Sequence, residues 1–373
     1  MTHLFVDISL ALSALYAVFL VYLTVNTTLK KGTKTVGEQN EAPGISVVIP
    51  FKNEASHFPA LLDSLMNQDY PGAFEVLMVN DGSTDDYEKI LAPYCASAAR
   101  PIKIIPSHYD KAVGLTSKQQ AIDTGAAKAS YDWLLFTDAD MEFRKNWIAS
   151  MAGMVSHGHD LVFGHTALRK KAPNGLFNAM QSYQLEFLFA VAHAFQAARL
   201  TGSCMGNNLL VKKESYRAIG GQKGVGHSIV EDCDLLRIFK RKGFSVAAAL
   251  PFTAYAYTFP CKSITGFFSQ ALRWGRGGLR MKSGLFPLWV LFCFQNVLFL
   301  LSLARLVPQQ IEIAALANAA LTIVFVYSSF KKIHSTENLF LLPVYYIFLM
   351  VETLAFLATF IVAPDISWKG RKL

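Results

Sequence analysis

Cysteine is scarce in this chain: Cys95, Cys204, Cys233, Cys261 and Cys293 are the five among 373 residues, and no two stand at the spacing of a zinc-ligand pair. That scarcity excludes a zinc-finger or disulfide-scaffold protein and reads as reduced thiols in a cytosol-facing chain. No aromatic-basic nucleic-acid module is visible, so no nucleic-acid partner is expected, although the formal net charge is +8. The basic residues instead cluster beside apolar runs (Lys30, Lys31, Lys34; Lys331, Lys332; Lys369, Arg371, Lys372), which suits a membrane surface. Charge itself is missing from Ile8 to Leu29, Ser283 to Ala304 and Ile313 to Phe330, and is represented by Glu352 alone in Leu339 to Ala363. With hydrophobic residues at 52%, a soluble domain plus membrane segments fits better than two soluble domains.

Ile8 to Leu29 is long enough to span a bilayer and is followed directly by Lys30 and Lys31. It lacks the basic start and small-residue cleavage site of a removable signal, since the chain opens Met1-Thr2-His3 with Asp7 close by, so it reads as a signal anchor. The basic flank then places the downstream chain in the cytoplasm, after a polar linker from Gly32 to Gly44. The three later apolar runs raise a conflict. Three full spans would leave the basic tail outside, against the positive-inside tendency, so one run is expected to be interfacial or re-entrant. Glu352 is costly in lipid unless paired or placed at an interface.

Between these regions the pattern alternates strand and helix. Ile45–Pro50, Phe74–Val79, Ile102–Ile105 and Trp133–Phe136 are short apolar runs, and helical spacing or composition marks Ala55–Asn67, Tyr87–Ala98 and Ser117–Lys128. Repeated strand-helix-strand units imply a mostly parallel nucleotide-binding sheet with flanking helices. The strands end on polar residues: Lys52, Asn53 and Glu54; Asp81; Asp138 and Asp140. Ligands of open α/β sheets bind at that rim. Two acids at alternate positions of an extended segment would point to opposite sides, freeing one for a divalent cation. The plain alternative is a solvated turn. Further on, Glu231 and Asp232 come after a glycine-rich, mobile-looking stretch from Gly220 to Gly226 and open a helix through Arg241, where acids also serve the helix dipole. Ser263 to Lys282 reads as an amphipathic basic helix at a membrane surface, with Gln270, Arg273 and Trp274 on one face.

Five motifs in order, Val48–Glu54, Val79–Asp85, Asp138–Asp140, Glu231–Asp232 and Gln270–Trp274, resemble the signature of the family-two inverting glycosyltransferases with the A-type nucleotide-sugar fold. The resemblance covers roughly Ile45 to Gly278. It implies a nucleotide-diphosphate sugar donor, expected to be a UDP-sugar, with Asp81 accepting hydrogen bonds from the base and Pro50, Asn53 and Glu54 lining the same pocket. A helix-capping acid is the other reading of Asp81. By the same resemblance Asp138 faces the nucleoside and Asp140 holds Mg²⁺ or Mn²⁺ against the diphosphate. Lys118 resembles a basic residue placed to contact phosphate, a surface lysine being the plainer reading. Asp232 would be the base that deprotonates the acceptor hydroxyl and Glu231 would orient it. Gln270 and Arg273 would lie near diphosphate or acceptor, with Trp274 beside the acceptor.

The resulting expectation is a cytoplasmic-facing integral membrane enzyme resembling ceramide glucosyltransferases and related bacterial enzymes. It comprises an anchor (1–30), a linker (31–44), a glycosyltransferase domain (45–262), an interfacial helix (263–282) and a C-terminal membrane region (283–373). The acceptor would be a lipid or lipid-linked molecule. Trp368-Lys369-Gly370-Arg371 resembles a terminal pattern of some lipid glycosyltransferases, hinting that the tail returns to the active site. A processive polysaccharide synthase shares the Gln-x-x-Arg-Trp motif, but three apolar runs offer little material for a polymer channel. A catalytically silent membrane scaffold that keeps the fold is the alternative of another class.

Overall fold

A computed structural model describes residues 2–29, 42–97, 100–169, 175–280, 285–335, 337, 339–362, 367–368 and 371–372. Lys30, Lys31, Lys34, Lys282, Lys369 and most of the expected linker lie outside the described residues. The chain forms two compact units: one of residues 32–178 and 203–260, the other of residues 1–31, 179–202 and 261–373.

The first unit is built on a seven-stranded sheet. Its parallel half contains β1 (Ile45–Phe51), β2 (Phe74–Asn80), β3 (Ile102–Pro106) and β4 (Trp133–Phe136), ordered β3-β2-β1-β4. The helices between them are α2 (Phe58–Met66), α3 (Tyr87–Ser97) and α4 (Ser117–Lys128). β1 and β4 are buried on both faces almost throughout, as a parallel strand covered by helices must be, which explains their unbroken apolar runs. α2 buries Phe58, Leu61, Leu62 and Leu65, the spacing of one helix face, into the core formed by Ile45, Val47, Ile49, Phe74 and Val76. Pro50 pairs in register with Val79 of β2, beyond the part of β1 that pairs with β4, so its missing N–H interrupts no ladder on that side.

The sheet continues past β4 in a way the apolar runs did not show. β5 (Met141–Phe143) and β7 (Thr166–Leu168) join β10 (Ala256–Thr258) in a separate three-stranded sheet. β6 (Leu161–Gly164), β8 (Leu209–Lys212) and β9 (Val246–Ala249) extend the main sheet in the order β4-β8-β6-β9, and β8 runs antiparallel to both neighbours. The sheet is therefore mainly parallel, with one reversed strand inside it. Small helices α5 (Trp147–Ala152), α7 (Lys213–Ala218) and α8 (Gly221–Val225) precede α9 (Glu231–Arg241).

The segment 220–226 is α8 with its turns rather than a mobile loop. Gly220 and Gly221 take left-handed φ values of 87° and 61°, and a Cβ on Gly224 would fall 1.8 Å from the Ile219 carbonyl oxygen. Glycine serves shape here, and its chemistry alone does not reveal that.

The second unit contains α1 (Thr2–Leu29), most of α6 (Leu176–Ala197), α10 (Ile264–Arg280), α11 (Leu285–Leu303), α12 (Gln309–Lys332) and α13 (Leu342–Val362). α1 and α12 are long and apolar enough to cross a membrane, while α11 and α13 carry shorter apolar stretches, Pro287–Leu303 and Leu339–Ala355. Large apolar side chains point outward from α1 and α12: Leu4, Leu15, Val18, Ile313 and Val324 are exposed. Polar side chains point inward. Gln295 of α11 accepts from Ser13 of α1 at 3.1 Å and from Asn318 of α12 at 2.8 Å, and the hydroxyls of Tyr16 and Thr322 lie 2.9 Å apart. Outward apolar and inward polar surface is the arrangement expected of helices solvated by lipid. At the end of the chain, β11 (Ser367–Trp368) pairs antiparallel with β12 (Arg371–Lys372).

Candidate active site

The rim of the sheet is laced together before any catalytic group is considered. Asn53 sits at φ 55°, a left-handed conformation that asparagine tolerates. Its amide N–H donates to Ser83 Oγ (3.0 Å) and its side-chain oxygen accepts from the Thr84 N–H (2.8 Å). Asp85 Oδ2 accepts from the Ala55 N–H at 2.9 Å. The loops following β1 and β2 thus form one floor, and Asn53 is a strut of that floor. Glu54 lies on the same floor and approaches His57 at 3.7 Å.

The first turn of α4 joins the remaining parts. Thr116 caps it through a reciprocal box with Gln119. Ser117 Oγ donates to the buried Asp81 carboxylate. Lys118 Nζ lies 2.9 Å from Asp138 Oδ1 and 3.0 Å from Glu231 Oε1. Gln119, fully buried, donates to the Gly226 carbonyl (2.7 Å) and accepts from the Ser228 N–H (3.1 Å), fixing the approach to α9. Burial alone would lower the Lys118 pKa, but the two carboxylates outweigh it and hold the ammonium firmly charged. Lys118 is therefore no idle surface lysine.

Asp138 follows β4 and Asp140 lies in the turn at 139–140 that leads to β5, so the two acids do not share one continuous extended segment. The turn leaves their charges in mutual repulsion. Burial, then the Asp138 and Glu54 carboxylates, push Asp140 up to about 6. Asp138 is paired with Lys118, and the half-buried Asp140 carboxylate is an oxygen donor of the kind a hard divalent cation such as Mg²⁺ or Mn²⁺ takes.

Asp232 is gripped by the backbone. Its Oδ2 accepts from the Gly206 N–H at 2.7 Å and its Oδ1 from the Cys233 N–H at 2.8 Å. A Cβ on Gly206 would meet the Asp232 side chain at 2.7 Å, so the approach requires glycine. Burial and the neighbouring Glu231 charge push Asp232 up to about 6 despite Lys118 and the two amides, which favour the anion. The amides, rather than Glu231, fix the orientation of Asp232; Glu231 adds charge and holds Lys118. Asp234 is engaged elsewhere, accepting from Ser228 Oγ (2.8 Å) and Arg237 Nε (3.1 Å).

Gln270, Arg273 and Trp274 lie on α10, in the other unit. Gln270 Oε1 and Cys261 Sγ are 3.4 Å apart there. Sequence reasoning missed Ser117, Gln119 and Gly206 as organisers of the site. Thr116-x-x-Gln119, a capping-box pattern, was the available signal for the first two, whereas nothing in the composition around Gly206 marks a close approach. Asn208 was also missed. Its buried side chain accepts from Trp147 Nε1 (3.0 Å) and donates to the carbonyls of His165 (2.8 Å) and Ala254 (2.9 Å), anchoring the segment that carries Gly206.

Comparisons with known proteins bear on the fold and the family. The 4,4'-diaponeurosporenoate glycosyltransferase of Staphylococcus aureus (strain N315) is 25% identical over 282 residues, 73% of this chain and 71% of that protein. The protein of that name from strain USA300 is 25% identical over 281 residues, 72% of this chain and 70% of its own. Among solved structures, the mannosyltransferase PcManGT from Pyrobaculum calidifontis in complex with GDP-Man and Mn²⁺ shares the fold at a TM-score of 0.57 with 16% identity, over 96% of this chain and 99% of that one. The model of glycosyl transferase family 21 matches residues 11–373, nearly the whole length, and the chain belongs to that family of glycosyltransferases.

Proposed function

We propose that this glycosyltransferase moves one sugar, with inversion, from a nucleotide-diphosphate sugar to a lipid or lipid-linked acceptor at the cytoplasmic face of a membrane. The observation that carries this reading is the first turn of α4, where adjacent Ser117 and Lys118 tie Asp81, Asp138 and Glu231 into one constellation. Asp81 and the floor around Pro50, Asn53 and Glu54 take the nucleoside, which Asp138 also faces. Lys118, already charged between two acids, is placed to meet phosphate oxygens. Asp140 would hold Mg²⁺ or Mn²⁺, whose contribution is to neutralise the charge developing on the departing diphosphate.

In the transfer itself the acceptor oxygen forms a bond to the anomeric carbon as the bond to the diphosphate oxygen breaks. Asp232 takes the acceptor's hydroxyl proton, and the electron pair leaves with the nucleoside diphosphate. Attack from the face opposite the leaving group inverts the anomeric centre. A carboxylate raised to about 6 is still ionised at neutral pH and more basic than a free aspartate, which suits that role. Gln270 and Arg273 are assigned to diphosphate or acceptor, and Trp274 to the acceptor. The acceptor named for the staphylococcal relative supports a lipid-like acceptor here, and GDP-Man with Mn²⁺ in the Pyrobaculum calidifontis neighbour supports a nucleotide sugar and a divalent cation. A UDP-sugar is the donor proposed.

The roles separate under substitution. Asp140→Ala should weaken metal-dependent donor binding and turnover together. Asp232→Asn keeps shape and the capping competence of the residue but takes no proton, so donor affinity should persist while turnover falls by about 10²- to 10⁴-fold. Titration of donor binding alongside steady-state rates checks both, and near-normal turnover by folded Asp232→Asn protein would remove Asp232 from the chemistry.

A further inference from the structure

Cys204 and Cys233 lie 29 positions apart in sequence, yet both are buried against Asp232. The two sulfurs and an Asp232 carboxylate oxygen all lie within 4.8 Å of one another. Cys233 Sγ is 3.9 Å from the Cys204 carbonyl oxygen, so the segment carrying Cys204 and the first turn of α9 are in contact at this point. Among the described residues this is the one group of three such side chains found close enough to share an ion.

Two sulfurs and one oxygen make a donor set unlike the carboxylate of Asp140. Hard Mg²⁺ and Mn²⁺ prefer oxygen, whereas thiolates select Zn²⁺ and similar thiophilic ions. Three protein ligands with one position left for water is a normal zinc arrangement. Cys204 and Cys233 are buried and Asp232 is half-buried, so Asp232 is the one member of the cluster that retains partial exposure.

We propose that Cys204, Cys233 and Asp232 form a seat for a thiophilic divalent cation, Zn²⁺ in the first instance, and that an ion bound there switches transfer off by engaging the catalytic carboxylate. Seating exchanges two S–H bonds for two S–metal bonds, adds one O–metal bond, and releases two protons to solvent; no group changes oxidation state. Inhibition results because the carboxylate's electron pair is committed to the ion when the acceptor hydroxyl needs it. The inhibitory half rests on Asp232 being the base, whereas the seat itself stands on the three side chains alone.

The test uses purified full-length protein with Mn²⁺ in excess and Co²⁺ as the probe. Thiolate-to-cobalt charge-transfer absorption should appear at one ion per chain and disappear on adding one equivalent of Zn²⁺. Cys204→Ser and Cys233→Ser should each abolish it, while Cys95→Ser, at an exposed thiol elsewhere, should leave it unchanged. Zn²⁺ at one equivalent should stop transfer by the native protein, and Cys204→Ser should keep its Mn²⁺-supported activity and need at least about tenfold more Zn²⁺ for the same inhibition. Cys204→Ala, of smaller volume and without a hydroxyl, is measured in parallel in case the serine form fails to fold. Absence of the absorption in native protein, or its persistence in both cysteine variants, would overturn the seat. Absorption lost on Cys204→Ser, together with undiminished transfer by Zn²⁺-loaded protein, would overturn the inhibition and locate the fault in the assignment of Asp232 as base.

Discussion

At the scale of single residues, the decisive feature is the placement of Lys118 between two acids that belong to different motifs. One ammonium is shared between Asp138 and Glu231, and its field also favours the ionised form of Asp232. Lys118→Met should therefore raise the Asp232 pKa above its present value of about 6 and move the acidic limb of the pH–rate profile to higher pH. The sign is set by the role. A base must be ionised to act, so activity rises with pH through its pKa, and removing a neighbouring cation delays that rise. Rates across pH 5 to 9 at saturating Mn²⁺ check this; a limb that stays put or moves to lower pH contradicts it. Of these residues, the acids were legible in the sequence because ordered motifs announced them. The partners were not, because hydrogen bonds such as Ser117 to Asp81 and Gly206 to Asp232 join residues 26 or more positions apart.

At the scale of elements, strands β1 to β4 and helices α4 and α9 were readable from apolar runs, caps and acidic first turns. β6, β8 and β9 were not. Each is four residues long, as β4 is, but none leads into an acidic motif that marks its end as Asp138 and Asp140 mark the end of β4. The far end of the sheet holds a further polar cluster that no motif announced. Glu75 of β2 is buried and accepts from Ser46 Oγ of β1 (2.8 Å), Lys103 Nζ of β3 (2.7 Å) and the Ser130 N–H before β4 (2.6 Å), so one carboxylate ties four neighbouring segments. Burial would raise its pKa, but Lys103 and the hydrogen bonds outweigh burial and hold it below the ordinary value. A depressed carboxyl pKa contributes stability above the unfolded-state value of about 4.3, and that contribution is lost as pH falls through the folded-state value. Glu75→Gln should cost about 1–3 kcal/mol at neutral pH while leaving donor affinity unchanged, and its deficit should shrink in acid. Denaturant midpoints of native and variant protein at pH 7 and pH 4 measure this; an equal deficit at both would contradict the electrostatic origin.

At the scale of the whole molecule, a rim of acids on an α/β sheet accompanies a helical unit with apolar surface outward and polar side chains inward. The lipid-like acceptor proposed from the staphylococcal relative gives that pairing a purpose. The cytoplasmic exposure proposed for the catalytic segment should be visible as Lys89→Cys, in protein carrying Cys95→Ser, labelled by an impermeant reagent only after cells are opened; labelling of intact cells would contradict it. The central claim is tested most directly by incubating reconstituted native and Asp232→Asn protein with lipid extract, Mn²⁺ and a panel of labelled nucleotide sugars, then separating lipid-soluble from polymeric product. The account predicts label in a lipid-soluble product one or very few sugars larger than its acceptor, formed by the native protein and reduced about 10²- to 10⁴-fold by Asp232→Asn. Long insoluble polymer, or lipid product formed equally by both proteins, would contradict it.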